Sequence, residues 1–136
     1  LWYDVDLRSS VPVYQQMIDG LKRDLALGLV VPGERLPPVR ELAAMTALNP
    51  NTIARAYQEM ERLGLIETRR GRGTFVAAAP PFDSDEAKKT ISGLVEKILI
   101  EAANARIGKE RLLSLITEMV EKWFAQKGGS RNGAGD

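Results

Sequence analysis

The sequence predicts a mainly α-helical fold carrying a small β wing, and three observations predict it. Apolar residues recur at helical spacing in five separate stretches. Two of those stretches, about Pro38 to Met45 and the one opened by Asn49-Pro50, are joined by a turn of only three or four residues. Directly after them come two short β-prone runs, Leu65–Thr68 and Thr74–Ala77, flanking Arg69-Arg70-Gly71-Arg72-Gly73. Helix, short turn, helix and hairpin make a winged helix-turn-helix, here followed by a two-helix C-terminal dimerisation element. The expected organisation is a winged domain over 1–77, a linker at 78–83, a helical dimerisation and effector region over 84–127, and a disordered tail at 128–136.

Each element has a local reason. Trp2 to Leu7 alternates loosely and reads as a short strand or an arm packed on the domain. Pro12 suits a first helical turn, and Val13, Met17, Leu21 and Leu25, widened by Tyr14 and Ile18, make one stripe. Gly28 and Pro32-Gly33 end that helix. In the second helix Val39, Leu42 and Ala43 face inward. Asn49 is a strong N-cap for the third, with Pro50 in its first position and Ile53, Ala56, Tyr57, Met60 and Leu63 as its buried stripe. Gly64 stops it. Asp83 and Glu86 form a capping box for a fourth helix with Ile91, Leu94, Val95, Ile98, Leu99 and Ala102 on one face, broken at Gly108. The fifth carries Leu112, Leu113, Ile116, Met119, Val120, Trp123 and Phe124, and glycines dominate from Gly128 onward.

Composition narrows the function. With neither cysteine nor histidine, disulfides, thiolate chemistry, the commonest general base and the commonest metal ligand are absent. No metal-ligand cluster and no phosphate-binding glycine loop is apparent, so no enzyme and no cofactor are expected. No run of about 18 apolar residues is present, so no membrane span is expected. The start of the sequence has no signal-peptide pattern, which makes the cytoplasm the expected location. The net charge is only +1, but its distribution is uneven. Between Arg35 and Val76 seven arginines face four glutamates, whereas nine basic and nine acidic residues balance beyond Val76. A local arginine excess suits a polyanion.

The candidate DNA-binding residues follow from the third helix and the wing. Asn51, Thr52, Arg55 and Gln58 lie opposite the third helix's apolar stripe. Arg can bind guanine O6 and N7 together, Asn and Gln can do the same for adenine, and a Thr methyl can meet a thymine methyl. The helix N-terminus at Asn49 offers backbone N–H groups to a phosphate. Arg69, Arg70 and Arg72 around Gly71 stand at a glycine-hinged tip with no acid beside them and repel one another unless an anion lies near. Arg40, in the first turn of the second helix, suits a backbone phosphate.

The stretches Pro32-Gly33-Glu34-Arg35-Leu36-Pro37, Val39-Arg40-Glu41-Leu42-Ala43, Asn49 to Tyr57 and Gly64 to Val76 resemble GntR-type regulators, over roughly residues 11–77. The short helical tail and the Asn-Pro-Asn-Thr opening resemble the YtrA branch. The resemblance implies a winged-helix transcriptional regulator that binds operator DNA as a homodimer, with Arg40, Asn49 to Thr52, Arg55 and Arg70 to Arg72 approaching the DNA. Two departures matter. Pro38 stands where the family often has a capping Ser, and the third helix opens with Asn49-Pro50-Asn51-Thr52 where many relatives from other branches carry arginines, so no base contact is carried over to Pro50.

The tail helices are too few to bury both faces alone. A two-fold partner is the commonest solution, with Leu112, Ile116, Met119, Val120, Trp123 and Phe124 as the expected seam. The expected function is therefore a homodimeric repressor on an inverted-repeat operator, the third helix in the major groove and the wing at the minor groove or backbone. A small-molecule effector is conceivable, although no residue demands one. The alternative is a winged-helix protein-interaction module, with the third helix turned to a protein.

Overall fold

The computed structural model describes residues 1–78 and 85–135, with side chains through Lys127. The described residues form α1 (Val13–Ala26), β1 (Arg35–Leu36), α2 (Val39–Thr46), α3 (Pro50–Arg62), β2 (Ile66–Arg69), β3 (Gly73–Val76), α4 (Asp85–Asn104) and α5 (Lys109–Gly135). The chain divides into two compact units, one built on Leu1–Ala79 and one on Pro80–Gly129. The expected linker, apart from Ala78, and the Asp83 cap lie outside the described residues.

In the winged unit α1 and α2 both pack on α3, and Met17, Ile18, Leu21, Leu42, Ile53, Met60 and Val76 are fully buried between helices and sheet. The sheet has three antiparallel strands in the order β1-β3-β2, where the sequence suggested only the β2–β3 hairpin. Arg35 pairs with Phe75 and Leu36 with Thr74, so β1 is two residues long. So short a run carries no alternation, and its pairing is made entirely by a distant strand.

Residues 1–12 form an arm rather than a strand. Trp2 is buried in the core, edge-on to Tyr3 and 6.2 Å from Tyr57. Gln16 clamps the arm: its Oε1 accepts from the Asp6 N–H at 2.8 Å, and its Nε2 donates to the Asp6 and Val11 carbonyls. Close approach is possible because α1 has no side chain at Gly20, where a Cβ would lie 2.3 Å from the Trp2 carbonyl oxygen.

Two helices end at glycines as expected, while α2 and α4 end on the non-glycine left-handed residues Ala47 (φ 58°) and Arg106. Gly28 (φ +76°) and Gly64 (φ +78°) take the left-handed conformation after α1 and α3, and the next N–H reaches back five residues, Leu29 to Asp24 and Leu65 to Met60. After α4 the same motif is built on Arg106 (φ 58°), with Ile107 N–H donating to the Ala102 carbonyl. The break therefore falls two residues before Gly108, which is not the residue that turns the chain. A hydrogen-bonded reversal can hold a non-glycine residue in this region when the flanking bonds compensate the steric cost. α5 continues to Gly135, across the stretch whose glycines suggested disorder.

Candidate nucleic-acid interface

The outward face of α3 is built by its own periodicity. With Ile53, Ala56, Tyr57 and Met60 buried, Asn51, Arg55 and Gln58 project from the opposite side, and all three are exposed. Thr52 lies on the flank and is half-buried. The helix is anchored by the Tyr57 hydroxyl, which donates to the Pro37 carbonyl at 2.6 Å. Burial, and then the charge of Glu41, raise the Tyr57 phenol well above its ordinary range, so it remains a donor.

At the start of α3 the structure corrects one expectation. The Asn49 Oδ1 accepts from the Asn51 N–H at 2.8 Å, and the Asn49 carbonyl accepts from the N–H groups of Thr52 and Ile53. With Pro50 lacking an N–H, the first turn of α3 offers no open backbone donor to a phosphate. The cap uses only the Oδ1 of the Asn49 side chain, so its amide N–H groups stay available to a ligand. α2 differs: Pro38 supplies no side-chain cap, and the exposed Arg40 stands in its first turn.

Arg55 is also held more closely than its exposure suggests. Its guanidinium carbon lies over the Tyr14 ring, 3.9 Å from the centroid. Farther along the same outward row, Arg62 is engaged by Glu59 through its Nε and Nη2. The hydrogen bond from Arg62 holds the Glu59 carboxyl below the usual carboxylate range.

The wing tip is a three-residue connection between Arg69 and Gly73, which are cross-strand partners. Arg72 N–H donates to the Arg69 carbonyl at 2.9 Å, with Gly71 at φ +77° between them, the geometry a type II turn requires. The expectation that no acid accompanies these arginines fails for Arg69. Its Nη2 lies 2.7 Å from the Glu67 Oε1, and its guanidinium covers the Phe75 ring at 4.5 Å. Residues 67, 69 and 75 share one face of the sheet, so the two-residue strand period was the available signal. Arg70 and Arg72 are exposed and form no ion pair among the described residues. Arg35, not among the candidates, joins this face from β1. A Cβ at Gly73 (φ +118°) would lie 3.0 Å from the Arg35 Nε.

The helical unit presents a different surface. Among the described residues, eleven large apolar side chains of α4 and α5 are exposed, from Ile91, Leu94, Val95, Ile98 and Leu99 to Met119, Val120 and Phe124, while only Ala102 is buried. Of the expected seam, Leu112, Ile116 and Trp123 are half-buried. The seam residues expected from α5 alone omit the α4 row, which is equally uncovered. Among the described residues no group of His, Cys, Asp or Glu could hold a metal, and no helix is long and apolar enough to cross a membrane.

The family model for bacterial regulatory proteins of the gntR family matches residues 13–76, the stretch from α1 through β3. The chain is 40% identical over 129 residues to the HTH-type transcriptional repressor YtrA of Bacillus subtilis (strain 168), covering 94% of this chain and 97% of that protein. Its structure is similar to that of a transcriptional antiterminator from Listeria monocytogenes EGD-e, with a TM-score of 0.76 and 26% identity over 89% of this chain and 91% of the other. A GntR family transcriptional regulator from Listeria monocytogenes gives a TM-score of 0.67 and 28% identity, over 82% of this chain and 98% of that one.

Proposed function

The chain belongs to the gntR family of bacterial regulatory proteins, in its YtrA branch, and is a DNA-binding transcriptional regulator; we propose that it is a homodimeric repressor of an inverted-repeat operator, acting in the cytoplasm where that DNA lies. The observation that carries the reading is the exposed polar row Asn51, Arg55 and Gln58 on α3, in one unit with the unpaired Arg70 and Arg72 of the wing.

In this reading α3 enters the major groove. Arg55 reads a guanine edge, Asn51 and Gln58 read adenine, and Thr52 meets a thymine methyl from the flank. Asn49 contributes its amide donors beside them. Arg40, at the uncapped start of α2, and Arg70 and Arg72, around Gly71, hold phosphates at the backbone or the minor groove and carry no sequence information. Arg69 joins them only after leaving Glu67.

One winged unit spans too few base pairs for discrimination in a genome, so two copies at half-sites about 34–36 Å apart are required. Leu112, Ile116, Met119, Val120, Trp123 and Phe124, together with the α4 row, form the seam between copies. The uncovered apolar area of α4 and α5 supports this assignment. That the Bacillus relative is a repressor supports the sign of regulation.

A salt titration tests the reading. Three phosphate-binding arginines per protomer, Arg40, Arg70 and Arg72, give about six contacts for the dimer, so log K against log[salt] has a slope of about −5. Affinity then falls about a thousandfold between 50 and 200 mM salt. Absence of duplex binding at low salt defeats the reading. Sedimentation of a chain lacking residues 84–136 tests the seam: a monomer is expected, and a tight dimer moves the seam into the winged unit.

A further inference from the structure

We propose that Tyr14, on α1, is a positioning residue for Arg55, its ring fixing the direction in which the guanidinium meets a base edge. The proposal rests on the reading of Arg55 as a base-reading residue. Tyr14 is half-buried and packed against the core of the winged unit, so the ring is itself held. The Arg55 guanidinium carbon sits 3.9 Å from the ring centroid, within the range of a cation–π contact.

The charge of Arg55 also acts on nearby Glu59, but the ring is its one direct contact among the described residues. Tyr14, Gln15, Arg55, Gln58, Glu59 and Arg62 line one shallow cleft between α1 and α3. Glu59 is the only carboxylate among them, and Arg62 engages it through two nitrogens. Among the described residues no hydrogen bond or ion pair uses the N–H groups of Arg55. A carboxylate partner would occupy those donors and would have to be displaced by a base. A ring holds the cation and leaves the donors free.

Bidentate recognition of guanine depends on the guanidinium arriving with its fork along the base edge. A free arginine loses much rotamer freedom to do so, and a pre-held one loses less. Tyr14 thereby acts on sequence preference through Arg55. The sequence alone assigned Tyr14 to the apolar stripe of the first helix, because a contact between helices is invisible to periodicity.

The test uses the full chain and a duplex it selects from a randomised pool, with a scrambled duplex as reference. Tyr14→Leu is expected to lower the ratio of selected to scrambled affinity about two- to fivefold, the strength of an exposed cation–π contact. The loss should fall at the base pairs that Arg55→Ala also affects. Tyr14→Phe, which keeps the ring, should retain the wild-type ratio, and Tyr14→Leu should change nothing further in an Arg55→Ala background. Equal weakening of both duplexes by Tyr14→Leu, or the same loss from Tyr14→Phe, overturns the proposal. If Arg55→Ala leaves the ratio intact, the base-reading assignment itself fails; if Arg55→Ala lowers it and Tyr14→Leu does not, only the positioning role fails. Should Tyr14→Leu not fold, proton chemical shifts of the Arg55 Cδ group in the wild-type chain decide: an upfield ring-current displacement that Tyr14→Phe preserves supports the proposal, and unshifted signals overturn it.

Discussion

Replacing Glu67 by Gln isolates the wing's contribution to DNA affinity, because Glu67 is the acid that occupies one of its three tip arginines. The Arg69–Glu67 contact is 2.7 Å, and both side chains are nearly half exposed, 47% and 46%. An exposed ion pair of this kind contributes about 0.2–1 kcal/mol after solvent screening, so Arg69 gives up roughly that amount to reach a phosphate. Glu67→Gln removes this cost and a repelling charge together, which corresponds to a gain in affinity at low salt of about 1.4- to 5-fold per winged unit, or about 2- to 30-fold for a dimer. A newly engaged phosphate steepens the salt dependence by about 0.9 per winged unit, close to 2 for a dimer. Both changes should be equal on selected and scrambled duplexes, since phosphates are common to all sequences. The Phe75 ring continues to hold the guanidinium at the tip, so the gain is not lost to rotamer entropy. Fluorescence anisotropy at several salt concentrations measures both quantities. An unchanged slope and affinity would show that Arg69 does not reach the DNA, and weaker binding would show that the pair maintains the shape of the wing.

Four further outcomes follow, three from individual contacts and one from composition. Gly20→Ala places a Cβ 2.3 Å from the Trp2 carbonyl oxygen, a backbone atom, and should destabilise the winged unit by about 1–3 kcal/mol in urea unfolding; a neutral result contradicts the seating of the arm on α1. Asn49→Ser keeps an N-cap acceptor, so stability should stay within a few tenths of a kcal/mol while the side-chain amide donors are lost; unchanged operator affinity then removes Asn49 from the interface. Arg62 lowers the Glu59 carboxyl, so the stabilisation from that pair is fully present above the ordinary carboxylate range and is lost as pH falls through the lowered value. With no histidine in the chain, DNA binding should show no step between about pH 6 and 8, and a titration step there would contradict the assignment of arginines as the responsible cations.

What the sequence made legible is what one turn of backbone decides. Pro12, Asn49-Pro50, Gly28 and Gly64 marked helix ends because each satisfies a local rule about caps or left-handed residues, and the structure places them there. The elements that the sequence missed, as β1, or left open, as the arm, depend on distant partners. β1 exists only because Arg35 and Leu36 find β3, and the arm is ordered only because Trp2 meets Gly20 and Gln16 meets Asp6. In the candidate interface the exposed positions of α3 were readable from its buried stripe, but the occupation of its side chains was not. Asn49 is engaged in its own cap, Arg55 rests on a residue 41 positions earlier, and Arg62 is paired. The Glu67–Arg69 pair could have been found, since a strand brings alternate residues to one face. Arg106 could not, since nothing in its identity favours a left-handed conformation over the nearby Gly108.

The two units treat their apolar surface in opposite ways, and the difference bears on regulation. The winged unit closes its core with its own arm, which delivers Trp2 onto α1 and α3. In the helical unit, among the described residues, Ala102 at the end of α4 is the one buried apolar residue, and eleven large apolar side chains of α4 and α5 are exposed. On the assembly proposed above, the helical unit gains its stability only by association, so its folding is linked to protomer concentration by mass action. Operator affinity then inherits that dependence, because the two winged units reach the spacing of two half-sites only once the helices have paired.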